Sequence, residues 1–103
     1  MKMNREMMRQ MQQMQSRLAK AQQELESKTA EGSAGGGAVT ITLTGSFQVQ
    51  SLKIAPEVVE AGDVEMLEDL VTAALNEALQ KAQALQSAHL AGLTAGLGLP
   101  GMP

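Results

Sequence analysis

Apolar residues recur along the first segment at Met7, Met11, Met14, Leu18, Ala21 and Leu25, separated alternately by four and three positions. Alternating gaps of four and three define a heptad seam, the period at which a helix buries one stripe against a partner. At ~100° per residue the six positions fall within an arc of about 80°. Lys2, Arg5, Arg9 and Lys20 fall within roughly 60° on the opposite side, and Arg17 lies nearer the flank of the seam. The pattern predicts a helix over residues 1–30 with one face for a protein partner and one cationic strip.

The period then changes. Glu31-Gly-Ser-Ala-Gly-Gly-Gly37 holds four glycines and is expected to end the helix in a sharp turn. Val39, Ile41 and Leu43 alternate with Thr40, Thr42 and Thr44, as in a half-buried strand. Gly45-Ser46 reads as a two-residue hairpin loop with glycine first, and Phe47-Gln-Val-Gln50 begins the return strand. The odd gap from Val49 to Leu52 puts a bulge or break near Gln50-Ser51, so residues 46–55 read as one bulged strand or as two short ones. Antiparallel strands are thus expected within 38–55, closed by Pro56, with a short acidic connector at 57–62. Asp63 caps a second helix over 63–90, whose apolar face is Leu67, Leu70, Val71, Ala74, Ala78, Ala82 and Leu85. Glu77 and Lys81 have the spacing of a helix ion pair. Residues 91–103, rich in Gly and Pro, are expected to form a flexible tail outside a single domain spanning 1–90.

Composition bounds what such a domain does. The chain has 103 residues, no cysteine and one aromatic residue, Phe47. A core without aromatic bulk is marginal at this size, and an unpaired seam beside it favours a homodimer. Absent cysteine excludes disulfides and thiolate chemistry. No apolar run approaches the ~20 residues of a membrane helix, so a cytoplasmic protein without membrane contact is expected. Net charge is −3, but it is unevenly spread. Residues 1–20 carry Lys2, Arg5, Arg9, Arg17 and Lys20 against Glu6, a local charge of +4. Residues 57–77 carry seven acids and no base. A cationic arm on an acidic body binds phosphates with steep salt dependence.

The remaining chemistry is sparse. A basic helix face is ordinarily a solvated surface; the alternative is phosphate contact, without the side-chain pattern of a base-reading helix. The methionines are seam fillers rather than metal ligands, since no Cys or His accompanies them in the first helix. The glycine run follows a helix and opens a strand, the reverse of a phosphate-binding loop. His89, the one histidine, lies on the apolar face of the second helix and reads as an interface residue. No nucleophile and base come together, so neither catalysis, a metal, a cofactor nor a small-molecule substrate is expected.

Gly32-Ser-Ala-Gly-Gly-Gly37 before a strand, Gly45 at the hairpin, Ile54-x-Pro56, Leu67-Glu-Asp-Leu-Val71 followed by Ala74-x-Asn76-x-Ala78 and Lys81-Ala82, and the closing Gly96-Leu-Gly-Leu-Pro-Gly101 resemble the YbaB/EbfC family of bacterial nucleoid-associated proteins. The resemblance spans nearly the whole chain. It implies an α+β subunit of order α-β-β-β-α, an intertwined homodimer with projecting N-terminal helices, and binding of double-stranded DNA without a cofactor. It places the DNA-contacting face on Lys2, Arg5, Arg9, Arg17 and Lys20, and the chain in the nucleoid. Where many members carry bases in the hairpin and second strand, this chain has Ser46, Gln48 and Gln50, with Lys53 the one base between Ala38 and Ala55. A rival reading makes the protein an adaptor whose seam and acidic helix bind a replication or recombinational-repair protein.

Overall fold

The computed structural model describes residues 4–96. The elements are α1 (Arg5–Ser27), β1 (Thr29–Ala34), β2 (Val39–Thr44), β3 (Val49–Ile54), α2 (Pro56–Glu60) and α3 (Val64–Gly96). The protein is α+β, a three-stranded antiparallel sheet of order β1-β2-β3 with long helices before and after it.

The central strand β2 is the alternating segment, and Val39, Ile41 and Leu43 are all buried. Opposite it, Leu43 pairs with Val49, Thr42 with Ser51, Ile41 with Leu52 and Val39 with Ile54. Gln50 is therefore the extra residue of a β-bulge, and residues 49–54 form one strand. The bulge absorbs the odd spacing: it turns Val49, Leu52 and Ile54 to the same face as Val39, Ile41 and Leu43.

The third strand is not where the sequence suggests. β1 occupies Thr29–Ala34, within the segment expected as helix end and glycine turn. The helix stops at Ser27, and Lys28 is already extended, with φ −83° and ψ 146°. Thr29-Ala-Glu-Gly-Ser-Ala34 has few strong strand formers, so its conformation comes from pairing with β2. Gly32 explains the glycine there: a Cβ at this position would collide with the backbone of Ala74 and Ala78 in α3. The turn is confined to Gly35–Ala38, and Gly35, Gly36 and Gly37 take φ of 65°, 68° and 94°.

The hairpin also differs from expectation. Phe47 N–H donates to the Thr44 carbonyl at 3.0 Å, and Thr44 N–H donates to the Gln48 carbonyl at 2.8 Å. The loop is thus three residues, Gly45–Phe47, and the left-handed conformation falls on Phe47 (φ 66°), as in a turn closed by a left-handed residue. Gly45 is needed instead for close approach, because an added Cβ would lie 2.6 Å from the Leu25 carbonyl oxygen. Its N–H donates to the carbonyls of Leu25 and Lys28, both at 2.9 Å, tying the end of α1 to the hairpin.

Pro56 opens α2 rather than only closing the sheet, as proline does at a first helical position. The connector is thus a short helix that buries Val58. The Asp63 carboxylate accepts from Met66 N–H at 3.0 Å and caps α3 as its sequence position predicts. Ala74, Ala78 and Ala82 of α3 lie against Ala30, Val39, Ile41 and Leu43, and all three are fully buried. Small residues one turn apart let the helix axis approach the sheet closely. Leu67, Leu70, Val71, Leu75, Leu79 and Leu85 pack around this centre. α3 continues to Gly96, six residues past the expected end at Leu90, because an isolated glycine weakens a helix by about 1 kcal/mol without ending it. The remainder of the expected tail, 97–103, lies outside the described residues.

Candidate nucleic-acid interface

α1 behaves as two segments. Its C-terminal third docks: Ala21 and Leu25 are half-buried, and Gly45 bonds hold the last turn. From Arg5 to Lys20 every residue is exposed, and α1 contains no buried residue at all. Met7, Met11, Met14 and Leu18, the upper seam, are 47–53% exposed. A helix of 23 residues is about 35 Å long, so most of that length stands clear of the sheet. Asn4 caps it, its Oδ1 accepting from Met7 N–H at 2.7 Å, which engages that side-chain oxygen within the helix itself.

Of the expected cations, Arg5 and Arg9 sit one turn apart on the free part of the arm, both exposed. Lys2 lies outside the described residues. Arg17 and Lys20 are exposed too, but they also line a crevice between α1 and α3. The arm presents polar residues that the charge pattern does not single out. Gln12, Gln13 and Ser16 share a face with Arg5, Arg9 and Lys20, within an arc of ~100°. Gln12, Gln13 and Ser16, with Arg9 and Arg17, line a shallow groove along the helix. Arg, Gln and Ser are residue types that hydrogen-bond phosphate oxygens. Uncharged donors between arginines are visible in the sequence only once the helix wheel is drawn for polar as well as charged positions.

The sheet contributes little charge. Thr29, Glu31, Ser33, Thr40, Thr42, Ser51 and Lys53 occupy its outer face by register, so one cation there stands against one acid. The inner face of β3 is different. α3 covers β1 and β2, while Val49 and Leu52 remain 62% and 49% exposed. Val59, Val64 and Met66 are exposed as well, at 59%, 66% and 38%. With the Met seam, these residues leave apolar surface of the single chain open to water. Glu77 and Lys81 form the expected ion pair at 3.1 Å. Among the described residues no group of three or more metal-ligating side chains occurs, and no helix is long and apolar enough to cross a membrane.

Fold and site together define an α+β protein that sets a cationic helical arm against an acidic body. The chain belongs to the YbaB/EbfC DNA-binding family, whose pattern matches residues 1–97. It is 52% identical over 97 residues to a nucleoid-associated protein of Ruminiclostridium cellulolyticum, covering 93% of this chain and 84% of that one. A nucleoid-associated protein of Chloroflexus aurantiacus is 48% identical over 93 residues, covering 90% and 93% of the two chains. The fold is shared with an uncharacterized protein of Helicobacter pylori, whose crystal structure matches with a TM-score of 0.76 at 16% identity, over 90% of this chain and 99% of that one.

Proposed function

We propose that this protein binds duplex DNA as a homodimer, through the cationic faces of its two α1 arms, as a component of the bacterial nucleoid. It acts without catalysis or cofactor and with low sequence selectivity, in nucleoid organisation or gene regulation. The observation that carries the reading is an arm whose Arg5, Arg9, Gln12, Gln13 and Ser16 are all exposed on a helix standing clear of an acidic body. Such a face contacts phosphates and leaves base edges unread. Arg17 and Lys20 extend the cationic surface toward the docked end of α1, and Lys2 precedes the helix in the sequence. The homodimer is supported by the open inner face of β3 and the exposed seam Met7, Met11, Met14 and Leu18, continued by half-buried Ala21 and Leu25. A second copy covers both kinds of surface without a new partner.

The test is the Arg5→Gln/Arg9→Gln variant, whose positions bury nothing. It is expected to keep its helicity and its dimer mass while binding random-sequence duplex more weakly. Each lost phosphate contact lowers the salt slope by about 0.9, so a dimer that loses four falls by about 3.6. An unchanged affinity and slope would sink the reading. The exposed Met seam also favours a second one, an adaptor that binds a replication or repair protein through the seam and the acidic start of α3. Salt separates the two, since an apolar seam holds its partner at salt concentrations that release phosphates.

A further inference from the structure

The crevice between α1 and α3 is an unfinished site. Arg17, Lys20, Ala21 and Glu24 line it from α1, Lys28 from the extended residue that follows the helix, and Leu85, Ala88, His89 and Gly92 from α3, around about 440 Å³. The four residues from each helix fall within an arc of ~100°, so two single faces confront each other. Ala21, Ala88 and Gly92 put no bulk between them, and a Cβ built on Gly92 would meet nothing within 4 Å.

The charges in this crevice are arranged unusually. Glu24 stands four residues after Lys20, the spacing at which helix ion pairs form, and close in sequence to Lys28 just past the helix end. It pairs with neither. Its Oε2 turns inward to His89 Nε2, 3.7 Å away across the helix interface. Among the described residues Arg17, Lys20 and Lys28 form no ion pair, and the buried His89 Nε2 has no hydrogen-bond partner. Three cations thus stand unneutralised around one recess, whose single acid is drawn to the imidazole on the inner wall. A buried polar atom without a partner calls for an explanation, and a bound water or ion beside it is one.

We infer that this crevice binds a small oligophosphate, such as the phosphate end of a nucleoside di- or triphosphate. Arg and Lys around a recess are the residues that hold phosphates by charge-assisted hydrogen bonds. The volume is that of a small-ligand pocket. The walls contain no aromatic side chain for a base to stack on, so the phosphates carry the recognition. A duplex presents its phosphates along a convex rail, whereas a free terminal phosphate reaches into a recess. The ligand also competes with DNA, because Arg17 and Lys20 border both surfaces. This second consequence alone rests on the DNA reading. By linkage, DNA must weaken the small ligand by the same factor as the ligand weakens DNA.

The experiment is a titration of the full chain with sodium pyrophosphate, followed by amide ¹H–¹⁵N spectra at constant ionic strength. Saturable shifts are expected at Arg17–Lys28 and Leu85–Gly92, and not at Arg5–Arg9. Lys28→Gln removes one cation. Gly92→Leu fills the recess, leaves every charge in place and raises helix propensity. Lys28→Gln is expected to weaken binding ~tenfold, the effect of about one charge-assisted hydrogen bond, and Gly92→Leu at least ~tenfold, because its side chain takes the space the ligand needs. Arg5→Gln/Arg9→Gln should bind pyrophosphate as the parent does, which keeps this site distinct from the arm. Pyrophosphate should also displace duplex DNA from the parent and not from Gly92→Leu. The inference is overturned if shifts stay linear up to about 10 mM, if sodium chloride reproduces them, or if Gly92→Leu binds as tightly as the parent. A parent that binds no DNA removes the competition only, and saturation by pyrophosphate still decides whether the crevice is a site.

Discussion

The sheet with α3 and the free part of α1 are built from the same small alphabet, yet under opposite constraints. In the body, Ala74, Ala78 and Ala82 are fully buried against β1 and β2, and Gly32 lies where any side chain would strike helix backbone. There the small residues are fixed by contact within the chain. On the arm, Met7, Met11, Met14 and Leu18 are as regular in spacing but about half exposed. No burial within the described residues accounts for their pattern. Regular apolar spacing therefore has two meanings in this one molecule, and burial separates them.

The sharpest way to break the comparison is at its tightest contact. Gly32→Val is expected to destabilise the fold by about 3 kcal/mol or more, because neither α3 backbone nor β1 can yield without losing the alanine packing. Denaturant unfolding measures it. A change below about 1 kcal/mol would mean that α3 shifts freely on the sheet, and that the body is no more constrained than the arm.

How much of the molecule is legible in the sequence follows the same division. Elements whose side chains carry their own signal are readable: the heptad of α1, the alternation of β2, the odd gap that becomes the Gln50 bulge, and Asp63 as a cap. β1 is not, because Thr29-Ala-Glu-Gly-Ser-Ala34 owes its extension to β2 and its glycine to α3, both remote in sequence. Gly45 reads as a turn residue when its role is proximity to Leu25. Of the site, the charge asymmetry and the exposed placement of Arg5 and Arg9 are legible from one helix wheel. The crevice is not. It needs the passage of α3 beside α1, which brings residues 17–28 and 85–92 around one recess, and no spacing within either helix announces that.

A middle-sized effect should separate the two meanings of apolar spacing. Met7→Gln/Met11→Gln/Met14→Gln places polar side chains at positions that already face water in the single chain. Helicity is expected to survive, since Gln and Met have similar helix propensity. The subunit's own core is untouched. Association is expected to weaken at least ~tenfold by sedimentation, because apolar area on a shared seam is what the substitution removes. Unchanged self-association would assign the seam to a different partner and leave the β3 face, Val49 and Leu52, to carry the dimer.

The smallest effect compares the caps of the two long helices. Asn4 caps α1 through Met7 N–H at 2.7 Å, and Asp63 caps α3 through Met66 N–H at 3.0 Å. The bonds are chemically alike, and replacing either residue by alanine removes about 1 kcal/mol of helix stability. The consequences differ because the helices are coupled differently to the rest of the chain. The first turn of α3 leads directly into Leu67, Leu70 and Val71, which pack on the core. Asp63→Ala is therefore expected to lower the global unfolding free energy by about 1 kcal/mol. The first turns of α1 touch nothing buried, so fraying them costs the body nothing. Asn4→Ala is expected to leave global unfolding unchanged and to speed amide exchange over the first turns of the arm, since exchange there reports local opening. Equal loss of global stability from both substitutions would show that the arm folds as one cooperative unit with the body. The contrast between a self-contained core and an arm answering to outside partners would then fail.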